Sequence, residues 1–277
     1  MNTNIKAIAA DVDGTLVVKG GNLTPKSRAA FNRLHKEGIL FGIASGRPID
    51  NRISDYAKNW GLDFDFDFII GVNGGELYDT TTKKIEKYYT LSRETIREIL
   101  EMLVSIGANA IIYKKGYDEI YALKWDFFLE ESQKRNESFI KVGTVDELSA
   151  EETGKVEVHL RVSQKQQFLQ MLKEHPSDKY SYIQTFEEGD HCTIEFMDPR
   201  VNKGLALEKV SEHFNIPLDD IMAIGDMDND IGLLEKAGVA VCMKNGSPGC
   251  KAVADIITEY DVFHDGVGEF LEKTFEL

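Results

Sequence analysis

The 277-residue sequence predicts an α/β protein: a mainly parallel sheet with helices between its strands, split by an inserted α+β segment. Three observations carry that expectation. Short apolar runs at 5–10, 39–44 and 68–71 alternate with stretches of helical periodicity. The alternation lapses after Asn73-Gly-Gly75 and resumes near Thr193. The chain is also longer than a single compact core usually reaches.

Taken in order, the run 5–10 suits a buried strand. Thr24 followed by Pro25 reads as an N-cap and a proline at the first helical position, so a helix runs to about Glu37 and Gly38 ends it. Residues 39–44 form a second strand, 45–48 a turn, 48–60 a helix closed by Gly61, and 68–71 a third strand. Residues 76–78 and 85–89 look like hairpin strands around a polar turn at 79–83. The insertion then mixes helix-like 93–106, strand-like 110–113, helix-like 125–136, strand-like 156–162, helix-like 164–173 and strand-like 180–186. The simple rhythm returns with strand 193–196, helix 203–214, strand 221–224, helix 230–237 and strand 239–242. The expected division is a core of 1–83 and 190–277 around an insertion of 84–189, which is an ordinary domain size.

Hydrophobic residues make up 42% and charged residues 29%, the balance of a soluble globular enzyme. No apolar run is long enough to span a bilayer, and the amino-terminal residues lack a basic cluster followed by an apolar stretch. No membrane association and a cytoplasmic location are the resulting expectations. Cys192, Cys242 and Cys250 are an odd number without C-x-x-C spacing, which points to reduced, structural thiols. A net charge of -15 argues against nucleic acid as a partner. It leaves a small anionic substrate open, because a bound metal or a local cation can override the global field.

In an open parallel sheet, ligands bind beyond the carboxyl ends of the strands. Four polar segments follow apolar strands directly: Asp11-Val-Asp-Gly-Thr15, Ser45-Gly-Arg47, Asn73-Gly-Gly75 and Gly225-Asp-Met-Asp-Asn-Asp230. The first and fourth hold five carboxylates, whose convergence would raise their pKa values unless a cation neutralises them. A hard divalent ion such as magnesium fits. Lys203 opens a helix, where the macrodipole disfavours a cation, so a nearby anion is expected. Ser45 offers a hydroxyl beside a glycine that lets a ligand approach the backbone, an arrangement suited to phosphate.

Singly, each feature has a bland reading. Asp13-Gly14 suits a cap or turn, Ser45-Gly46 a turn, Asn73-Gly-Gly75 a hairpin, and Lys203 a solvated surface. What carries information is their recurrence at one place in the architecture. Residues 226–230 superficially resemble a calcium loop, but the required glycine position is Ile231 and the closing glutamate position is Ala237. There is no P-loop, no G-x-G-x-x-G after a strand and no H-E-x-x-H, and His159 and His191 read as packed or surface side chains.

Asp11-x-Asp13-Gly14-Thr15, Ser45-Gly46-Arg47, Lys203-Gly204 and Gly225-Asp226-x-x-Asn229-Asp230, in this order, resemble the four motifs of the haloacid dehalogenase superfamily. Asn73-Gly-Gly75, the insertion after it, Ala254-Asp255 and Asp265-Gly-Val267 resemble its Cof-type branch, whose cap is the C2B α+β kind. That branch usually has Thr in the second motif and Asn-Gly-Ala in the asparagine motif. Ser45 keeps the hydroxyl, and Gly75 is a small replacement.

The resemblance implies a Rossmann-like core with Asp11 as the nucleophile that becomes an aspartyl phosphate. Asp13 is then general acid for the leaving alcohol and general base for water. It implies Mg2+ held by Asp11, the Asp13 carbonyl and Asp226, with Asn229 and Asp230 in support. Ser45 and Lys203 would bind phosphoryl oxygens, and Gly46, Arg47, Asn73 and Asn229 would face the substrate or its phosphate.

The expected function is a magnesium-dependent phosphatase of small phosphorylated metabolites, sugar phosphates first. A sugar phosphomutase, a phosphorylated signalling receiver and a catalytically silent metabolite-binding regulator are the alternatives. The insertion would act as a lid that reads the leaving group; Trp125, Tyr121, Arg161 and His159 are its candidate contributors, though core or surface roles are the expected reading for each.

Overall fold

The computed structural model describes residues 4–277. The chain divides into two compact units, one taking it up to Glu86 and again from Asn202 to Leu277, the other formed by Lys87–Val201. Both ends of the second unit differ from the expected 84–189, and residues 1–3 of the expected core lie outside the described residues.

The described strands, in chain order, are β1 (Ala7–Asp11), β2 (Leu40–Ala44), β3 (Phe68–Gly71), β4 (Glu76–Asp79), β5 (Lys84–Lys87), β6 (Asn109–Lys115), β7 (Glu119–Ala122), β8 (Phe139–Val142), β9 (Val156–Arg161), β10 (Ser181–Glu188), β11 (His191–Met197), β12 (Ile221–Gly225), β13 (Val239–Cys242) and β14 (Ile256–Ile257).

The sheet of the first unit runs β14-β13-β12-β1-β2-β3-β4-β5. From β14 to β3 the neighbours are parallel, and β4 returns antiparallel to β3. All five residues of β1 are buried, as a parallel strand covered on both faces requires. In its register Ala10 lies beside Ile224 of β12, and Asp11 lies beside Ala44 of β2. The chain leaves β1 toward β2 on one side and fills the other side with β12, so the carboxyl end of β1 is a topological switch point.

The helix Pro25–Lys36 starts where expected, with Thr24 Oγ1 accepting from the Ser27 N–H at 3.1 Å. The Thr24 and Ser27 hydroxyls also donate to Asp265, at 2.5 and 2.6 Å, which ties this helix to the last one, Gly266–Phe275.

One expected helix is broken. In place of 48–60 stand two single turns, Asn51–Ser54 and Tyr56–Asn59. Asp50, not Pro48, caps the first by accepting from the Arg52 and Ile53 N–H groups, and the Ile49 N–H is drawn off to Glu76 Oε2. The helix expected at 230–237 is present as Ile231–Lys236, with Asp230 and Ala237 at its ends and a 3-10 turn, Asp228–Asp230, leading into it.

The second unit holds a six-stranded sheet, β10-β11-β9-β6-β7-β8, antiparallel except for the β7–β8 pair. Strand β11 corrects the sequence reading, which took 193–196 as the chain's return to the core. It pairs instead with β9 and β10. Its alternation explains this: Cys192, Ile194 and Phe196 join Val156, Val158 and Leu160 in a core with the helices Arg93–Ser105 and Val162–Glu174. The intervening residues of the two strands include Glu157, His159, Thr193 and Glu195, which the period-two alternation of a strand places on the opposite face.

A buried polar network occupies that second face. Lys155 Nζ lies 2.6 Å from Glu195, and the Tyr113 hydroxyl donates to Glu157 at 2.8 Å. His159 Nδ1 lies 2.8 Å from Asp126, and its Nε2 lies 3.2 Å from Glu157. Trp125, Phe127, Phe128, His159, Arg161 and His191 line a cavity of about 260 Å³. Tyr121 is placed differently, with the ammonium groups of Lys114 and Lys141 at 5.3 and 5.0 Å from its ring centroid. Cys192, Cys242 and Cys250 are buried free thiols, and no helix among the described residues is long and apolar enough to cross a membrane.

Candidate active site

The carboxyl ends of β1, β2 and β12 bring together the segments that the sequence singled out. Asp11 is the last residue of β1, Ser45 follows β2, and Asp226 follows β12. Lys203 opens the helix Lys203–Phe214 and is fully buried, the opposite of a solvated surface lysine. Its ammonium lies 2.6 Å from Asp11 Oδ1 and 2.5 Å from Asp230 Oδ1. The anion that its position demanded is therefore a pair of carboxylates. The other Asp230 oxygen accepts from the Asp226 and Met227 N–H groups at 2.9 and 3.0 Å, which braces the loop that carries Asp226.

Asp13 and Arg47 form an ion pair, with Nη2 donating to Oδ2 at 2.6 Å. Asp13 Oδ1 is buried and has no hydrogen-bond partner among the described residues. Ser45 is buried, and its Oγ accepts from the Arg47 N–H at 3.2 Å. Asn73 has φ +52° between β3 and β4, and its side-chain oxygen accepts from Asn229 Nδ2 at 3.1 Å. The Asn73-Gly-Gly75 segment is thus a hairpin connection, and it also meets the fourth motif. Gly46 matters by what it lacks, since a Cβ there would stand 3.1 Å from Asn73 Oδ1.

Two contributors went unassigned in the sequence reading. Thr15 donates its hydroxyl to Asp226 Oδ1 at 2.8 Å, and Asn245 donates to the Gly14 carbonyl at 2.8 Å while approaching Asp226 Oδ2 at 3.5 Å. Thr15 lay inside a motif already singled out. Asn245 follows β13, so its strand-end position was the signal that could have found it.

Burial raises Asp11 well above the usual carboxylate range, and the charge of Asp230 adds to this against the pull of Lys203. Burial likewise pushes Asp226 up to about 6, with the Thr15 hydrogen bond opposing. Burial alone would depress Lys203, but Asp11 and Asp230 overcome it and hold the ammonium well above its ordinary value. We take Lys203 as charged. Three carboxyl groups then crowd one ammonium, an excess of acidic oxygens over the cation that faces them.

The ligating atoms of Asp11, Asp226 and Asp230 lie within 4.8 Å of one another. An all-oxygen donor set with that excess fits a hard divalent cation. Because Asp230 already has both oxygens engaged, Asp11 and Asp226 are the carboxylates suited to direct ligation.

The sequence profile of the haloacid dehalogenase-like hydrolases matches residues 8–271. The chain belongs to the haloacid dehalogenase-like hydrolases. A 5-amino-6-(5-phospho-D-ribitylamino)uracil phosphatase of Bacillus subtilis (strain 168) is 26% identical over 280 residues, covering 100% of both chains. Among solved structures, a haloacid dehalogenase-like hydrolase from Bacteroides thetaiotaomicron superposes with TM-score 0.80 at 23% identity, over 97% of this chain and 99% of the other. A sugar phosphatase of haloacid dehalogenase subclass IIB superposes with TM-score 0.77 at 21% identity, over 98% and 99%. The fold of this haloacid dehalogenase-like hydrolase is the one its neighbours share, and its enzyme class is phosphatase. A divalent metal is the general cofactor of phosphatases in this family, and the acidic cluster supplies the donors for one.

Proposed function

We propose that this haloacid dehalogenase-like hydrolase is a magnesium-dependent phosphatase of small phosphorylated metabolites, working through an aspartyl phosphate at Asp11. One observation carries the reading: the buried Lys203 ammonium bridges Asp11 and Asp230 beside Asp226, at the switch point of a parallel sheet. Asp11, Asp226 and the Asp13 main-chain carbonyl would hold magnesium, which would supply positive charge against the phosphoryl oxygens.

Asp11 attacks phosphorus, and Lys203 and the Ser45 hydroxyl orient and neutralise the transferring group. Asp13 protonates the departing alkoxide and later takes a proton from the attacking water. Asp230 and Thr15 hold Asp226 in place, Asn229 supports the site through Asn73, and Gly46 and Asn73 shape the phosphate approach.

Relatives acting on a phosphoribityl compound and on sugar phosphates share a phosphate ester of a polyhydroxylated alkyl alcohol. Such an alkoxide leaves poorly without a proton, which suits an acid at Asp13. We assign the substrate class accordingly.

The test is a kcat/KM comparison of hexose phosphates with 5-amino-6-(5-phospho-D-ribitylamino)uracil, with and without magnesium, for wild type and Asp11→Asn. Magnesium-dependent phosphate release that Asp11→Asn abolishes is expected. Equal release by both proteins would remove Asp11 as nucleophile. Interconversion of isomers without phosphate release would make the enzyme a mutase.

A further inference from the structure

The two carboxylate oxygens of Asp13 have unlike surroundings. Oδ2 accepts from Arg47 Nη2 at 2.6 Å, whereas Oδ1 is buried without a hydrogen-bond partner. A buried oxygen left without a donor is costly, and such atoms tend to be kept for a purpose. Arg47 is itself held. Its Nη1 donates to the Tyr56 hydroxyl, and its guanidinium carbon lies 5.9 Å from the Tyr56 ring centroid. The Tyr56 ring in turn stacks on Trp60 at 5.0 Å, and Trp60 is buried. Because guanidinium donors keep fixed relative directions, a bond at Nη1 orients the bond at Nη2.

We propose that Tyr56 and Arg47 are positioning residues that clamp Asp13 by Oδ2, so that Oδ1 is the oxygen exchanging the proton. This rests on the acid/base reading of Asp13. In the first half-reaction an Asp11 oxygen bonds to phosphorus as the bond from phosphorus to the ester oxygen breaks, and the proton on Oδ1 passes to that departing oxygen. In the second, a water oxygen bonds to phosphorus, its proton goes to Oδ1, and the Asp11–phosphorus bond breaks with its electron pair returning to the carboxylate. Without the Tyr56 hydroxyl, Arg47 loses its second anchor, and Asp13 turns away from the ester oxygen for part of the time.

Rapid-quench measurement of phosphoenzyme formation tests this, using the full chain with magnesium. The substrates are 4-nitrophenyl phosphate, whose phenolate leaves without a proton, and glucose 6-phosphate, whose alkoxide needs one. Tyr56→Phe keeps the stacked ring and removes only the hydroxyl. It should leave the capture rate with 4-nitrophenyl phosphate unchanged, slow capture from glucose 6-phosphate by about tenfold or more, and slow breakdown of the common phosphoenzyme. Equal slowing of capture from both esters, or no slowing with glucose 6-phosphate, would overturn the clamp. Absence of phosphoenzyme in the wild type with either ester would overturn the aspartyl-phosphate reading, and the clamp with it.

Discussion

Lys203 shows how much a single side chain depends on its surroundings. Read alone it is an ordinary lysine at a helix start; in the fold it is a fully buried cation between two carboxylates. Removing one member of a buried ion pair leaves the rest uncompensated. Lys203→Ala should therefore cost about 3–5 kcal/mol in urea unfolding without magnesium, and should abolish phosphoenzyme formation. A loss below about 1 kcal/mol would mean that the pairing is no stronger than a surface contact.

In the proposed mechanism, Asp11 and Asp13 divide the chemistry differently. With 4-nitrophenyl phosphate, Asp11→Asn should give no phosphoenzyme, while Asp13→Asn should capture phosphate and then stall. Normal turnover of an alkyl phosphate by Asp13→Asn would refute its acid/base role. The positions of all these residues were legible as motifs. The Arg47–Asp13 pairing was not, because nothing in their spacing shows that an arginine expected to face substrate reaches back to the first motif.

At the level of elements, the loops after the strands are held by close approaches that only glycine permits. Gly14 has φ +95°, and a Cβ there would lie 2.4 Å from Asp226 Oδ2. Gly14→Ala should displace that carboxylate and raise the magnesium concentration for half-maximal activity several-fold, about one kcal/mol or more of binding energy. A magnesium titration that superposes on wild type would refute the argument. Gly74 is equally constrained, with φ +106° and the Asn202 carbonyl 2.1 Å from a Cβ.

Helical periodicity correctly located Pro25–Lys36 and Lys203–Phe214. It overextended at 48–60, where Asp50 turns its carboxylate onto the Arg52 and Ile53 N–H groups and starts a shorter turn. Side-chain capping of this kind competes with a longer helix and leaves no trace in a hydrophobic pattern.

Over the whole molecule, the two units store charge in different ways. In the second unit, burial would lower the His159 pKa, but Asp126 and Glu157 win and raise it to about 9. Burial would raise Glu157, yet His159 and Lys155 hold it down at about 2. The signs set a window. The His159 contribution is complete below its unfolded value of about 6.5 and is lost as pH rises through about 9. The Glu157 contribution is present above about 4.5 and is lost as pH falls toward about 2. Stability from this network should therefore peak between those limits. Comparing urea unfolding of wild type and His159→Gln checks it: their difference should shrink from pH 6.5 to pH 9. A constant difference would show that the network contributes nothing through its charge.

The sequence alone determined the strand-helix rhythm, the interruption, the family and the residues at the strand ends, because those features are local: apolar period, caps and short motifs. Tertiary structure decided which of them meet. Lys203 and Asp11 are 192 positions apart, and they touch because β12 and β2 flank β1 in one register. The same cause moved β11 into the second unit. A short apolar run is compatible with either sheet, and only its pairing with β9 and β10, burying alternate side chains against the helices, selects one.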